Sequence, residues 1–219
     1  MIAQRAGSIR ATRHGDVQDG PVLDSARTRL GAALAEWRTL PRSVAWFRMR
    51  ARRAALRSHD EFTALAATRA DELGRLLDLA RGRRQVVELG TGTAWTAIAL
   101  ALADRRRHVT SYDPTVWEGR DRYLALAGRA RDRISLVQAP GASGPAPGSP
   151  PAELVFIDSS HERDDTVAEF GAWRDALTPG GIVAFHDYDE PAYPGVAEAI
   201  RELGLEGEVF GHLFVWRAP

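Results

Sequence analysis

The sequence predicts an α/β fold in which amino-terminal helices precede a doubly wound, mostly parallel sheet covered by helices on both faces. Two observations predict it. From residue 85 onward, short apolar runs alternate with segments of helical periodicity, which is the pattern of βαβ units. Most of these runs are followed by glycine, acidic residues or histidine. Such residues are expected there, because parallel sheets bind ligands beyond the carboxyl ends of their strands.

Composition excludes several kinds of chemistry. The chain has 219 residues, enough for one domain with an appended helical segment, and contains no cysteine, so disulfides and cysteine-ligated metals are excluded. It also contains no lysine, so all 29 basic residues are arginine, and they are balanced by 29 acidic residues. Zero net charge argues against a general nucleic-acid partner. No run approaches the ~18 apolar residues of a membrane span, and no leader opens the chain, so we expect a cytoplasmic protein without a membrane partner.

The organisation is predicted in three parts. Residues 1–22 are polar and aperiodic, which indicates a flexible arm. Residues 23–80 form a helical segment, irregular at first, with a clearer helix over 58–80. Ser58 and Glu61 have the spacing of a capping box at the start of that helix. Residues 81–219 form the α/β domain.

Within this domain, the apolar runs and helical periodicities place each element. Strands are predicted at 85–89, 108–112, 134–138, 154–157 and 181–185, and helices at 93–103, 121–131, 165–177 and 196–203. Segments 208–210 and 213–216 are expected to close the sheet as an antiparallel pair. Residues 139–151 are rich in glycine and proline. They are either a loop over the mouth of the ligand site or simply a shortened connection.

The end of the first strand indicates a nucleoside site with a cationic group. Gly90 and Gly92 allow a sharp turn between strand and helix, but Trp95 replaces the third glycine of a dinucleotide fingerprint. Glu88 is unfavourable beside a pyrophosphate and favourable beside the ammonium and sulfonium of S-adenosylmethionine. Asp113 ends the second strand, where a carboxylate can accept from both ribose hydroxyls, although NAD sites share this feature.

The ends of the fourth and fifth strands indicate a cation. Asp158 and Asp187 are expected in one crevice, where two carboxylates repel each other unless a cation or a proton intervenes. Oxygen ligands suit Mg²⁺, with Mn²⁺ or Ca²⁺ as alternatives. His161 follows Asp158 by three residues, within reach of a substrate hydroxyl. His186 is expected to point away from Asp187 and to pack or support the site.

These motifs resemble known enzymes. The segment VVELGTGTAWTAIALA, followed by SYDP, resembles class I S-adenosylmethionine-dependent methyltransferases. The segment IDSSHERDDTVAEFGAWRDALTPGGIVAFHDY is similar to the macrocin and rhamnosyl O-methyltransferase group and, more distantly, to the catechol O-methyltransferase group. The resemblance implies a Rossmann-like fold over 81–219. It also implies a cofactor site formed by Glu88, Gly90, Thr91, Gly92, Asp113, Pro114, Gln138 and Asp158.

The same resemblance implies roles around the cation. Asp158 and Asp187 would hold a divalent metal, and His161 would be the catalytic base. Tyr188 stands where the catechol group has asparagine, so the third protein ligand is open, with Asp189, Asp60 and Glu61 as candidates. The expected reaction is O-methylation of a sugar or phenolic hydroxyl on a small, natural-product-like acceptor, with residues 23–80 forming the acceptor pocket or lid.

Other interpretations remain open at this stage. One is a metal-independent N- or C-methyltransferase in which both aspartates serve as polar scaffolding. Another is a non-catalytic nucleotide-binding subunit.

The arginines at 48, 50, 52, 53 and 57 are expected on a solvated helix face, with a phosphate-bearing substrate as the alternative. The oligomeric state, including a homo-oligomer, is also open.

Overall fold

The computed structural model describes residues 36–60, 63 and 67–219. The predicted arm 1–22 and Glu61 lie outside this part of the chain. The described residues contain a seven-stranded sheet whose strands are β1 (Gln85–Leu89), β2 (His108–Tyr112), β3 (Ile134–Val137), β4 (Ala152–Ile157), β5 (Leu177–Phe185), β6 (Glu208–Phe210) and β7 (Leu213–Arg217).

The strands follow the order β3-β2-β1-β4-β5-β7-β6. Neighbours from β3 to β5 are parallel, whereas β7 is antiparallel to both β5 and β6. Leu89 is in register with Tyr112 of β2 and Ile157 of β4, so these three strands end at the same edge. The order reverses between β1 and β4, which is where such sheets open a ligand crevice. The predicted fold class and closing antiparallel pair are confirmed.

Helices cover both faces of the sheet. They are α1 (Arg42–Arg57), α2 (Ala70–Leu79), α3 (Trp95–Ala103), α4 (Arg120–Leu124), α5 (Arg163–Trp173) and α6 (Pro194–Glu202). Side chains alternate along β1, with Val86 packing among α1, α2 and α3 and Val87 packing against Trp173 on the opposite face. Two apolar cores result, one on each face. Among the described helices, none has both the length and the apolarity needed to cross a bilayer.

The helix predicted over 58–80 is wrong as one continuous helix, because residues 58–60 and 67–69 are not helical. Ser58 ends α1 rather than starting a helix, and its hydroxyl donates to the carbonyl of Ala54 at 3.0 Å. His59 then takes a left-handed backbone conformation with φ 54°, which an α-helix cannot continue. The helix α2 starts at Ala70.

Other boundaries also differ from the prediction. The helix expected at 121–131 is α4 followed by 3₁₀ turns through Arg133, because Gly128 has φ 56° and interrupts it. The helix expected to reach Leu177 ends at Trp173, and Leu177 already begins β5. Within 139–151 the structure has only a 3₁₀ turn, Gly141–Ser143, and Pro140, Gly141 and Ala142 line the cavity described next.

Candidate active site

A cavity of about 880 Å³ opens at the carboxyl ends of four parallel strands. Gly90 after β1, Asp113 after β2, Asp158 after β4 and His186 after β5 all line it. Residues from the amino-terminal segment, among them Glu72 of α2, close one side. The crevice at the reversal of strand order is therefore the candidate functional site.

The turn after β1 is built for close backbone approach. Gly90 has φ 98°, and a Cβ at this position would lie 1.8 Å from the carbonyl oxygen of Asp158. No other residue fits there without moving the loop after β4. Gly92 also has a positive φ, 49°. These two glycines let the chain pass from β1 into α3 while keeping its backbone exposed to the cavity.

Glu88 is a buried acid beside this turn. It is only 1% exposed and accepts a hydrogen bond from the Ser111 hydroxyl. Burial raises the pKa of Glu88 to about 8, and the nearby charge of Asp158 adds to the increase, while the Ser111 hydrogen bond opposes it. A cationic ligand in the cavity would favour the ionised form, since a nearby positive charge lowers the pKa of an acid.

Asp113 is held rigidly at the end of β2. Its Oδ2 accepts from the Gly92 N–H at 2.9 Å and from the Trp117 indole at 3.0 Å, and its Oδ1 accepts from the Thr115 N–H at 2.7 Å. These donors fix the carboxylate at the cavity wall. Pro114 follows it and also lines the cavity.

Four side chains meet at the ends of β4 and β5. Asp158, His161, His186 and Asp187 each offer a ligand atom, all within 4.8 Å of one another. Nε2 of His161 lies 3.0 Å from Asp187 and 3.4 Å from Asp158. Nδ1 of His186 lies 3.0 Å from Asp158 and 3.3 Å from Asp187.

The backbone turns these side chains inward. His161 and Asp187 both have left-handed conformations, with φ 62° and 54°, a costly arrangement that tends to occur at functional sites. The expectation that His186 points away from Asp187 is wrong. Strand alternation ends with β5 at Phe185, so the next two side chains are no longer forced onto opposite faces.

While no cation lies between the carboxylates, they favour the charged form of both histidines. Burial alone would lower the pKa of His161, but the adjacent carboxylates of Asp158 and Asp187 raise it to about 9. The same carboxylates raise the pKa of His186 to about 12 against a similar effect of burial. In return, the histidines lower the pKa of Asp158 to about 2, although burial opposes this change.

This donor set fits a divalent cation. Nε2 of His161 and Nδ1 of His186 are buried and lack an aligned hydrogen bond, despite the carboxylates close by. Neighbouring ligands of a six-coordinate ion with bonds near 2.1 Å lie about 3 Å apart, close to the spacings found here. The four ligand atoms therefore lie close enough together to coordinate one ion.

Residues 87–188 match a family model described as "Methyltransferase domain". The match indicates that this segment is a methyltransferase domain. The matched range contains every predicted site residue from Glu88 to Asp187, and the prediction of an S-adenosylmethionine-dependent methyltransferase is confirmed. The family assignment favours an enzyme over a non-catalytic nucleotide-binding subunit.

Solved structures share this methyltransferase fold. CalS11, a TDP-rhamnose 3′-O-methyltransferase of calicheamicin biosynthesis, is 19% identical with a TM-score of 0.55, and the match covers 92% of this chain and 96% of that one. TomG from Streptomyces achromogenes, solved with S-adenosylmethionine, is 21% identical with a TM-score of 0.57, covering 76% and 88%. Cofactor-bound Rv0187 from MTB is 21% identical with a TM-score of 0.56, covering 92% and 91%. No curated protein matches the chain significantly in sequence.

Not every predicted site residue of this methyltransferase lies at the cavity. Gln138 is exposed and is absent from the cavity lining. Among the candidates for a third metal ligand, Asp189 is exposed, and Asp60 instead accepts from the Tyr123 hydroxyl at 2.6 Å. His186, and none of these candidates, lies beside both aspartates.

The arginines of α1 do not serve the cavity. None of the five, Arg48, Arg50, Arg52, Arg53 and Arg57, is among its described lining residues. Arg48 was expected on a solvated face but is only 2% exposed, and its Nε donates to Glu36 at 2.8 Å. The other four are exposed as expected.

Sequence reasoning missed two residues of the site. Glu72 lies on α2, far from the motifs in sequence, and its Oε2 is 3.2 Å from Nε2 of His186. Tyr193 stacks on the His161 ring, with centroids 4.4 Å apart. The one signal in the sequence that could have indicated Tyr193 is its position shortly after the segment His186-Asp187-Tyr188. Nothing in the pattern of α2 distinguishes Glu72 from a surface acid.

Proposed function

We propose that this protein is a divalent-cation-dependent O-methyltransferase, which transfers the methyl group of S-adenosylmethionine to a hydroxyl of a small molecule. The observation that carries the proposal is the cluster of Asp158, His161, His186 and Asp187, which faces the same cavity as the turn after β1. A cation site beside a nucleoside site suits a reaction that brings an oxygen nucleophile to a sulfonium methyl group.

The methyl donor is proposed to lie along the ends of β1 and β2. Asp113, fixed by three donors, would accept from both ribose hydroxyls. Glu88 would face the cationic end of the donor, which favours its ionised form. The full proposed set is Glu88, Gly90, Thr91, Gly92, Asp113, Pro114, Gln138 and Asp158, with Gln138 the least supported because it is exposed outside the cavity lining.

In the proposed reaction His161 is the base. A divalent cation, Mg²⁺ or Mn²⁺, held by Asp158 and Asp187 would position the acceptor oxygen, favour its deprotonation and offset the carboxylate charge acting on His161. With that charge offset, His161 can lose its own proton and accept one from the acceptor hydroxyl. The oxygen forms a bond to the methyl carbon as the carbon–sulfur bond breaks. S-adenosylhomocysteine and a methyl ether leave, and the proton returns to solvent from His161.

The charge of the cavity favours an uncharged or cationic acceptor. Its described lining carries Arg69 as its single arginine and many carboxylates, which include Asp165 and Glu190 besides those of the two binding sites. A phosphate group would meet repulsion there. We therefore propose a neutral sugar or phenolic hydroxyl. This differs from the TDP-linked sugar that the name of CalS11 gives for that enzyme.

The amino-terminal segment is proposed to shape the acceptor side of the cavity. Thr63, Ala67, Thr68, Arg69 and Glu72 precede the α/β domain and line the same space, which supports a pocket or lid formed by residues 23–80. The cytoplasmic location, the absence of nucleic-acid and membrane partners, and the boundaries at 22 and 80 remain predictions.

A panel of acceptors tests the proposal against the metal-independent N- or C-methyltransferase. Full-length protein is incubated with S-adenosylmethionine and with sugars, phenols, amines and the phosphorylated counterparts of the hydroxyl compounds, with and without EDTA. We expect methyl ethers of uncharged hydroxyl compounds, and no product after chelation. N- or C-methylated products, or full turnover in EDTA, would contradict the proposal.

A further inference from the structure

A buried carboxylate reaches the cluster from outside the matched family segment. Glu72, at the start of α2, is 4% exposed. Its Oε2 lies 3.2 Å from Nε2 of His186, and its Oε1 accepts from the backbone N–H of His212 at 3.3 Å. The carboxylate is therefore fixed at both oxygens and aimed at the ring of His186.

We propose that His186 is the third protein ligand of the cation and that Glu72 is its positioning residue. This inference rests on the proposed cation dependence. Because Tyr188 replaces the asparagine of the catechol group, the third protein ligand was open, and the inference assigns it to His186. Glu72 would act on the cation by orienting His186 and not by contacting the substrate.

The argument starts from the two nitrogens of the imidazole ring. A neutral ring carries one proton, so an Nε2–H that donates to Glu72 leaves a lone pair on Nδ1. That Nδ1 lies 3.0 Å from Asp158 and 3.3 Å from Asp187, and it is buried without an aligned hydrogen bond. Glu72, the ring and the two aspartates thus form a carboxylate–histidine–metal arrangement, in which the carboxylate sets the tautomer and the ring orientation.

His161 lacks this support. Its ring stacks on Tyr193, and within the described chain no hydrogen bond or ion pair involves its Nδ1. Its side chain is also more exposed than that of His186, 19% against 11%. The two histidines therefore differ. Glu72 holds Nε2 of His186, which suits a metal ligand. His161 faces the cavity without such a partner at Nδ1, which suits a group that takes part in proton transfer.

Manganese binding by the full-length protein tests this division. The affinity for Mn²⁺ is measured by calorimetry without S-adenosylmethionine, so the result does not depend on turnover. We expect Glu72→Gln to weaken Mn²⁺ binding roughly 10- to 100-fold, as is typical when a supporting carboxylate is lost, and His186→Ala to weaken it at least as much.

Glu169→Gln is the matched control. Glu169 is likewise 4% exposed and lines the same cavity, but it accepts from the Ser159 hydroxyl at 2.6 Å and does not contact His186. We expect its Mn²⁺ affinity to equal that of the wild type. Thermal unfolding of every variant identifies any loss that comes from misfolding.

Electron spin-echo measurements on bound Mn²⁺ give a second readout that does not need Glu72 variants. Modulation from a coordinated nitrogen should persist in His161→Ala and disappear in His186→Ala. The opposite pattern, or wild-type affinity in a folded Glu72→Gln variant, would overturn the inference and leave the proposed function standing. A wild-type protein that binds no Mn²⁺ would overturn both.

Discussion

His161 Nε2 lies 3.0 Å from Asp187 Oδ2, so a charged contact joins the loop after β4 to the loop after β5. Both residues have left-handed backbones at that contact. Burial would lower the pKa of His161, but Asp158 and Asp187 together raise it to about 9 and favour the charged ring. A base must be neutral, so this contact makes the proposed role of His161 depend on a cation between the carboxylates.

We predict that His161→Ala lowers turnover by roughly two to four orders of magnitude, the usual contribution of general base catalysis. In the wild type, turnover should fall as the pH decreases through the pKa of His161 in the cation-loaded enzyme, because the ring is then protonated. A pH–rate profile with any accepted acceptor checks both effects.

The control for this prediction is His108→Ala, which removes an exposed histidine at the opposite end of β2 and should not change turnover. A His161→Ala enzyme with nearly normal turnover and the same acidic limb would show that the proton leaves by another route.

We predict that Asp113→Asn weakens binding of S-adenosylhomocysteine roughly 10- to 100-fold. The ribose hydroxyls would lose hydrogen bonds to a charged acceptor, worth about 1.5–3 kcal/mol. Calorimetry measures the affinity, and Asp121→Asn, an exposed position on α4, serves as the control. Equal affinities of the Asp113 and Asp121 variants would exclude Asp113 from the cofactor site.

We predict that Glu88→Gln stabilises the ligand-free protein at alkaline pH. The pKa of Glu88 is raised from 4.5 to about 8 in the folded state. The contribution of Glu88 to the stability of the wild type is therefore greatest below pH 4.5. It is lost progressively between pH 4.5 and about 8, where the unfolded chain ionises while the buried acid stays protonated. Glutamine never ionises, so the difference in melting temperature between variant and wild type should be small below pH 4.5, grow by several degrees between pH 4.5 and about 8, and stay constant above that.

His161 and His186 titrate in both proteins, so their contributions cancel when the variant is compared with the wild type. The remaining difference in melting temperature reports the ionisation of Glu88. The same variant should bind S-adenosylmethionine more weakly, because it lacks a negative charge for the cationic donor. A variant that gains no stability at alkaline pH would contradict the buried, protonated state of Glu88.

We predict that the cation site prefers Mn²⁺ over Mg²⁺ and Ca²⁺. The donors combine carboxylate oxygens with an imidazole nitrogen, and nitrogen ligands favour transition metals, whereas Mg²⁺ and Ca²⁺ favour oxygen. Competition calorimetry gives the order of affinities. Tighter binding of Ca²⁺ or Mg²⁺ would indicate that only the aspartates coordinate.

The sequence predicts the meeting of Asp158 and Asp187 because parallel neighbouring strands end at one edge of the sheet. It could not place His186, since that side chain faces the cavity only because β5 stops at Phe185 and Asp187 turns left-handed. A period-two pattern contains no information on where alternation ends.

The structural roles of Ser58 and Glu72 also could not be predicted from the sequence. Ser58 had the correct spacing for a helix start, yet its hydroxyl bonds backward to Ala54 and ends α1, because a serine beside a helix can pair in either direction. Glu72 reaches His186 through tertiary packing of α2, which local patterns do not encode.

The central claim is that one cavity holds the methyl donor and a divalent cation side by side. It is tested most directly by the paramagnetic effect of Mn²⁺ on the S-methyl proton resonance of bound S-adenosylmethionine, with Mg²⁺ as the diamagnetic control. We predict strong broadening of that resonance in the wild type, and its loss in Asp187→Asn at a Mn²⁺ concentration that saturates the wild type. An S-methyl resonance that stays sharp with both ligands bound would contradict the account.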